Sequence, residues 1–160
     1  MARVVRHRPV RYLLPWAVRL LVPRQRVGVA LVVVNGVGDV LMLHHVFHPQ
    51  VPWGLPGGWL NRNEDPAAGA LRELREETGL TATLGPVVHV NYDSRPPHIG
   101  LAFLAYAEPG PVCLSSEILE AAWVSPLALP QPLLPFVEQA VAAALIAWQR
   151  GLFPMSDIEV

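Results

Sequence analysis

The stretch Gly58–Leu80, GWLNRNEDPAAGALRELREETGL, constrains this chain more than any other, because its caps, apolar spacing and clustered carboxylates are met together by a loop leading into one amphipathic helix. Asp65 followed by Pro66 reads as an N-cap and first helical residue: the carboxylate accepts an orphaned backbone N–H, and proline has none to lose. Ala67, Ala70, Leu71, Leu74 and Thr78 recur at helical spacing and predict one face for packing against a sheet. Gly79 suits the left-handed position that ends a helix, which sets the span at Pro66 to Thr78. Glu73, Glu76 and Glu77 then project together within roughly 100° of arc, a little over roughly 120° from the apolar face.

On an ordinary helix rich in arginine and glutamate, such residues pair with neighbours one turn away and face solvent. Two features point elsewhere. Glu73 and Glu77 are like charges one turn apart and Glu76 adjoins Glu77, so they repel unless a cation sits among them. The helix also follows Trp53-Gly54-Leu55-Pro56-Gly57-Gly58-Trp59, a glycine-rich loop in which backbone can approach a ligand closely. Hard oxygen donors grouped this way suit Mg²⁺ or Mn²⁺, which bridge substrate phosphates.

Position by position the stretch is G-x5-E-x7-R-E-U-x-E-E-x-G-U, with U apolar, met by Gly58, Glu64, Arg72, Glu73, Leu74, Glu76, Glu77, Gly79 and Leu80. Average residue usage gives such a match by chance with probability on the order of 10⁻⁷ or less. The pattern is the Nudix box, and the chain resembles the Nudix hydrolases, which cleave nucleoside diphosphates linked to another moiety. The resemblance implies that Glu76 and Glu77 are the principal metal ligands, joined by the backbone carbonyl of Gly57, with more than one ion per site. It implies that Glu73 binds a further metal or helps to activate water, and that Glu64 and Arg72 are a supporting pair, the arginine orienting the carboxylates. Glu73 and Glu76 are joint candidates for the general base, and Gly58 and Gly79 shape the site. Ser115–Val124 looks like a late strand of the family that often supplies one more glutamate, here Glu117 in preference to Glu120.

The rest of the chain reads as one domain around that helix. At 160 residues it is long enough to bury about two thirds of its unfolded surface. Val27–Asn35, Val40–His45, Ala82–Tyr92, Ile99–Glu108 and the Trp123 segment read as strands, with Asp93–His98 connecting two of them. Leu133–Trp148 reads as a second long helix. Mixed strands flanking two helices imply an α/β fold, and the resemblance implies a Nudix-type α/β/α sandwich with a mixed β-sheet. The single Cys113 permits no internal disulfide and reads as a buried or half-buried thiol in a cytoplasmic protein.

Residues 1–25 stand apart from the domain at 26–160. Residues 1–26 hold seven of the twelve cationic residues, all arginine, and none of the thirteen acidic ones. The apolar run Tyr12–Val22 is short and interrupted by Arg19, so no transmembrane span is expected. An edge element packing on the core or on a second subunit of a homodimer, a phosphate- or nucleic-acid-facing arm, and peripheral membrane contact are the readings left open.

Substrate choice is written less clearly. Arg62 and Arg95 are candidates to hold phosphates, and Trp53, Trp59, Tyr92 and Phe103 are candidates to stack on a base. His44, His45 and His48 lie near the site loop. Pro96 follows Leu80 at an offset shared with family members acting on ADP-ribose, so ADP-ribose or a nucleotide sugar is favoured. A nucleoside triphosphate pyrophosphatase is the alternative, and a non-catalytic nucleotide-binding module is the alternative of another class.

Overall fold

A computed structural model of the chain describes residues 24–47 and 49–151. The basic extension up to residue 23, His48 and the tail from residue 152 lie outside the described residues. The elements run β1 (Arg26–Val34), β2 (Val40–His45), β3 (Trp53–Gly54), β4 (Gly57–Trp59), α1 (Pro66–Thr78), β5 (Ala82–Ser94), β6 (Pro97–Ala107), β7 (Ile118–Val124) and α2 (Pro135–Gln149).

The strands form one sheet in the order β3-β2-β1-β6-β5, with β4 paired to β1 and β7 paired to β2. β1 and β6 are parallel, in register from Arg26↔His98 to Val34↔Tyr106, and the other pairings are antiparallel. The continuous apolar run of β1 follows from its place at the centre of the sheet. Val29, Leu31 and Val33 face α1 with Ala70 and Leu74, while Ala30, Val32 and Val34 face α2 with Val137, Val141 and Ala144. Both faces of the strand are covered, so alternation of polar and apolar residues gives way to unbroken burial. The result is the expected mixed sheet between two helices.

Three local expectations change. Trp53–Trp59 is not loop throughout, because β3 pairs with β2 and β4 pairs with β1, which satisfies its backbone polar groups. The Asp93–His98 connection tightens into a hairpin, with β5 running to Ser94 and β6 starting at Pro97. Cys113 is exposed rather than buried. Its segment lies on the surface because its backbone is engaged in capping α1, Cys113 N–H donating to Thr78 O at 2.8 Å and Ser115 N–H to Glu77 O at 3.0 Å.

Candidate active site

The helix carrying the carboxylates is fixed at both ends as its sequence predicts. Asp65 accepts from Ala67 N–H and Ala68 N–H at 3.0 and 3.1 Å, and Gly79 closes the helix at φ 72° with its N–H on Arg75 O. Ala70 and Leu74 anchor it to the sheet, while Ala67 and Leu71 of the expected face are only half-buried. That seating turns Glu77 inward rather than outward beside Glu73 and Glu76, and its residue is 7% exposed. The burial is tolerated because Gly57 N–H donates to Glu77 Oε2 at 2.8 Å.

Two glycines make this approach possible. A Cβ on Gly57 would strike the backbone of Val29 and Ala30, and a Cβ on Gly58 would lie 2.6–2.8 Å from the carboxyl atoms of Glu73. Any larger residue at Gly58 therefore displaces a carboxylate of the cluster.

Arg72 ties the polar side of the helix together. Its Nε and Nη2 donate to the two oxygens of Glu64 at 2.7 and 2.9 Å, a bidentate pair, and Nη1 donates to Glu73 at 2.8 Å and Glu76 at 2.9 Å. Nη2 also reaches Trp59 O at 3.3 Å. Glu64 accepts in addition from Asn61 N–H at 2.7 Å. The hydrogen bonds from Arg72, and then from Asn61, hold the Glu64 carboxyl down at about 2. The three carboxylates in turn raise the pKa of the guanidinium, Glu64 most strongly, so it stays charged.

Glu77 has the opposite character. Burial pushes its carboxyl up to about 8; the Gly57 hydrogen bond opposes this, and the negative charges of Glu73, Glu117 and Glu76 add to it. Glu117 therefore lies near enough for its charge to act on Glu77. The Ser115 bond to the helix end and the Val46 N–H bond to Glu117 O at 3.0 Å place it there. Glu120 lies three residues on in β7, opposite His44, and is exposed.

Among the described residues, no three His, Cys, Asp or Glu side chains close around a common point. Arg72 is bound to Glu64, Glu73 and Glu76 at once, so one positive charge is shared among three carboxylates and the cluster stays net negative. His45 Nδ1 stands 3.9 Å from Glu77 Oε1. A buried carboxylate among three others, all oxygen donors, fits a hard divalent ion.

The structure separates the remaining sequence candidates. Trp53 packs against the core on the α2 side and meets His44 edge to face at 5.3 Å. Phe103 is buried under α1. Trp59 is 48% exposed on the α2 side, while Tyr92, 62% exposed, sits across from Ile99 on the α1 side near the free edge of the sheet. Arg62 and Arg95 are exposed, and the arginine of the ion-paired cluster is Arg72.

Gly69 is a residue that the sequence pattern did not single out. It is buried in α1, and a Cβ there would run into Leu60 and come within 3.2 Å of the Glu64 carboxyl. A glycine inside a helix costs about 1 kcal/mol relative to alanine, and that cost was the available signal that packing requires it.

Comparison with known proteins bears on this arrangement. The family model described as NUDIX domain matches residues 24–149. The chain belongs to the Nudix hydrolase family. An RNA pyrophosphohydrolase of Roseobacter denitrificans is 41% identical over 73 residues, 46% of this chain and 44% of that protein. A MutT-like protein of Streptomyces ambofaciens is 32% identical over 104 residues, 65% of this chain and 66% of the relative. The chain thus spans less than half of the first relative and about two thirds of the second. The NUDIX domain of Shewanella oneidensis NrtR, solved in complex with ADP ribose, superposes with a TM-score of 0.71 at 19% identity, covering 89% of this chain and 99% of that one. This likeness concerns the Nudix fold.

Proposed function

We propose that this Nudix protein hydrolyses the pyrophosphate bond of a nucleoside diphosphate linked to a further group, with Mg²⁺ or Mn²⁺ and more than one ion at the site. The observation that carries the reading is the carboxylate cluster of α1: buried Glu77 held by Gly57 N–H at 2.8 Å, on the same helix as Glu73 and Glu76, which Arg72 ties together. A divalent cation bound there supplies charge neutralisation to the pyrophosphate and lowers the pKa of a bound water. Glu76, Glu77, Glu117 and the Gly57 carbonyl would hold the ions, with Glu73 as a further ligand.

The chain's own residues do the rest. Gly57 N–H fixes the orientation of Glu77, and Arg72 fixes Glu73 and Glu76 relative to Glu64. Glu73 or Glu76 takes the proton from the attacking water, which displaces a phosphate leaving group in line. Glu76 is the more accessible, its side chain 59% exposed against 15% for Glu73.

ADP-ribose or a nucleotide sugar is the favoured substrate class, on the offset of Pro96 from the box. A second reading, removal of pyrophosphate from a 5′-triphosphate, is supported by the relative named as an RNA pyrophosphohydrolase; nucleoside triphosphates fall under the same chemistry. A purely binding role is opposed by the full set of box glutamates. No helix among the described residues is long and apolar enough to cross a membrane; a homodimer in the cytoplasm belongs to the proposal.

The test is a panel of ADP-ribose, nucleotide sugars, nucleoside triphosphates and a 5′-triphosphorylated oligonucleotide, each with Mg²⁺ and with Mn²⁺. Released nucleoside monophosphate, phosphate or pyrophosphate is measured. Turnover of ADP-ribose or a nucleotide sugar above the others supports the first reading, and turnover confined to triphosphates supports the second. Metal binding with no turnover of any member would favour a binding module.

A further inference from the structure

The sheet ends at β5, whose strand partner among the described residues is β6 alone. An edge strand presents a row of unpaired N–H and C=O groups, a template for a further strand, and folds commonly blunt it with lysine, proline or a bulge. In β5 those devices sit in the first half. Pro86 lies there, and the ladder to β6 shifts between Leu84 and Val87 and again between Val87 and His89. From His89 to Ser94 the ladder is regular, and this half holds one carboxylate, Asp93, with no lysine or arginine.

Its side chains alternate between the faces. Val90 and Tyr92 lie on the α1 side, opposite Leu101 and Ile99, and are 57% and 62% exposed, so α1 leaves them uncovered. His89, Asn91 and Asp93 lie on the α2 side, opposite Ala102, Gly100 and His98. His89 is half-buried against Phe136 of α2, their rings 5.5 Å apart. Asp93 is exposed, and Arg95 N–H at 2.8 Å occupies only one of its oxygens.

This spacing is complementary to itself. When two copies pair antiparallel about a two-fold axis at Asn91, position 89 of one faces position 93 of the other, and 90 faces 92. Val90 then meets the partner's Tyr92, an aromatic and β-branched pair, and His89 meets the partner's Asp93, an imidazole N–H against a carboxylate. Symmetry supplies each pair twice. Other axes lose the match: at Val90 the aspartate faces the partner's Val87, at Tyr92 the exposed Val90 faces the partner's Ser94, and at Asp93 two carboxylates oppose each other.

We infer that the His89–Ser94 edge of β5 joins a second copy of this chain, antiparallel and centred on Asn91, so that two domains share one continuous sheet. This rests on the homodimer of the proposed function, names its surface, and is independent of the hydrolytic reaction. β6 and β1 lie between β5 and β4, which leaves the carboxylate cluster outside the contact. Six residues of strand span roughly 20 Å, at the small end of specific interfaces, so dissociation at tens to hundreds of micromolar is expected.

The experiment is sedimentation equilibrium of the full chain from about 1 μM to about 1 mM, with circular dichroism to confirm that each variant is folded. Val90→Glu and Tyr92→Lys change exposed side chains, and each alone should weaken association about tenfold or more. An equimolar mixture of the two should regain it, because the glutamate of one then faces the lysine of the other while the second pair stays native. The double variant, with two such ion pairs, should also associate. A parent that stays monomeric throughout overturns the inference together with the homodimer. A dimer that persists in both single variants overturns this surface and leaves the homodimer standing. Association lost in the single variants and regained in neither the mixture nor the double variant overturns the register centred on Asn91.

Discussion

Removing divalent metal from this protein should make its stability fall as pH rises, and Glu77 sets the size of the effect. Burial and three neighbouring carboxylates raise its pKa from 4.5 to about 8 in the folded chain. The folded state therefore binds the proton more tightly than the unfolded state does. The contribution is full below about 4.5 and is lost as pH climbs through about 8. Between pH 5.5 and 8 linkage gives a loss of about 3 kcal/mol. For a domain of this size, that is a fall in Tm of about 6–12 °C. The assay is thermal unfolding by circular dichroism at half-unit pH steps, in chelator and in millimolar Mg²⁺. Glu77→Gln is the control, since glutamine still accepts from Gly57 N–H and cannot ionise. The variant in chelator should lose most of the slope, and Mg²⁺ should restore the parent at pH 8 by binding the folded state alone. A metal-free Tm that stays level or rises from pH 5.5 to 8 in the parent, or a slope that persists in Glu77→Gln, would refute the reasoning.

Further outcomes follow from the same geometry. Glu76→Gln should cut turnover by roughly 10²-fold or more with an unchanged Tm, checked by steady-state rates on whichever panel member is cleaved. Gly58→Ala places a carbon 2.6 Å from the Glu73 carboxyl and should cost about 10²-fold in turnover at little loss of stability. Gly69→Ala forces Leu60 aside and should destabilise by about 1–3 kcal/mol in denaturant unfolding, although alanine is the better helix former. Because Arg72 and Asn61 hold Glu64 at about 2, its stabilising contribution should disappear as pH falls from 4.5 toward 2, and Glu64→Gln should flatten that part of the acid transition.

Local chemistry made much of this fold legible in the sequence. Asp65, Pro66 and Gly79 act within one turn of their own positions, so the helix ends are fixed by residues that any reading meets in order. The unbroken β-branched run of β1 and the apolar stretch of the second helix are likewise legible within their own segments. The inward turn of Glu77 was not legible, because it depends on where Gly57 N–H arrives after β4 pairs with β1. The short strands β3 and β4 escaped for the same reason: glycine and proline mark them as loop, and only their partners across the sheet make them strands. Cys113 sits in an apolar stretch, yet its segment is spent on capping α1 at the surface. Trp59 and Tyr92 look equivalent as aromatic residues, and only register places them on opposite faces of the sheet.

The most direct test of the account is hydrolysis of a panel substrate in ¹⁸O-enriched water, with Mg²⁺ and with chelator, read by mass spectrometry of the products. Cleavage is expected only with the metal, with one ¹⁸O in a phosphoryl group of one product and loss of the reaction in Glu76→Gln. Cleavage that proceeds in chelator, or label that enters any carbon–oxygen bond, would contradict it.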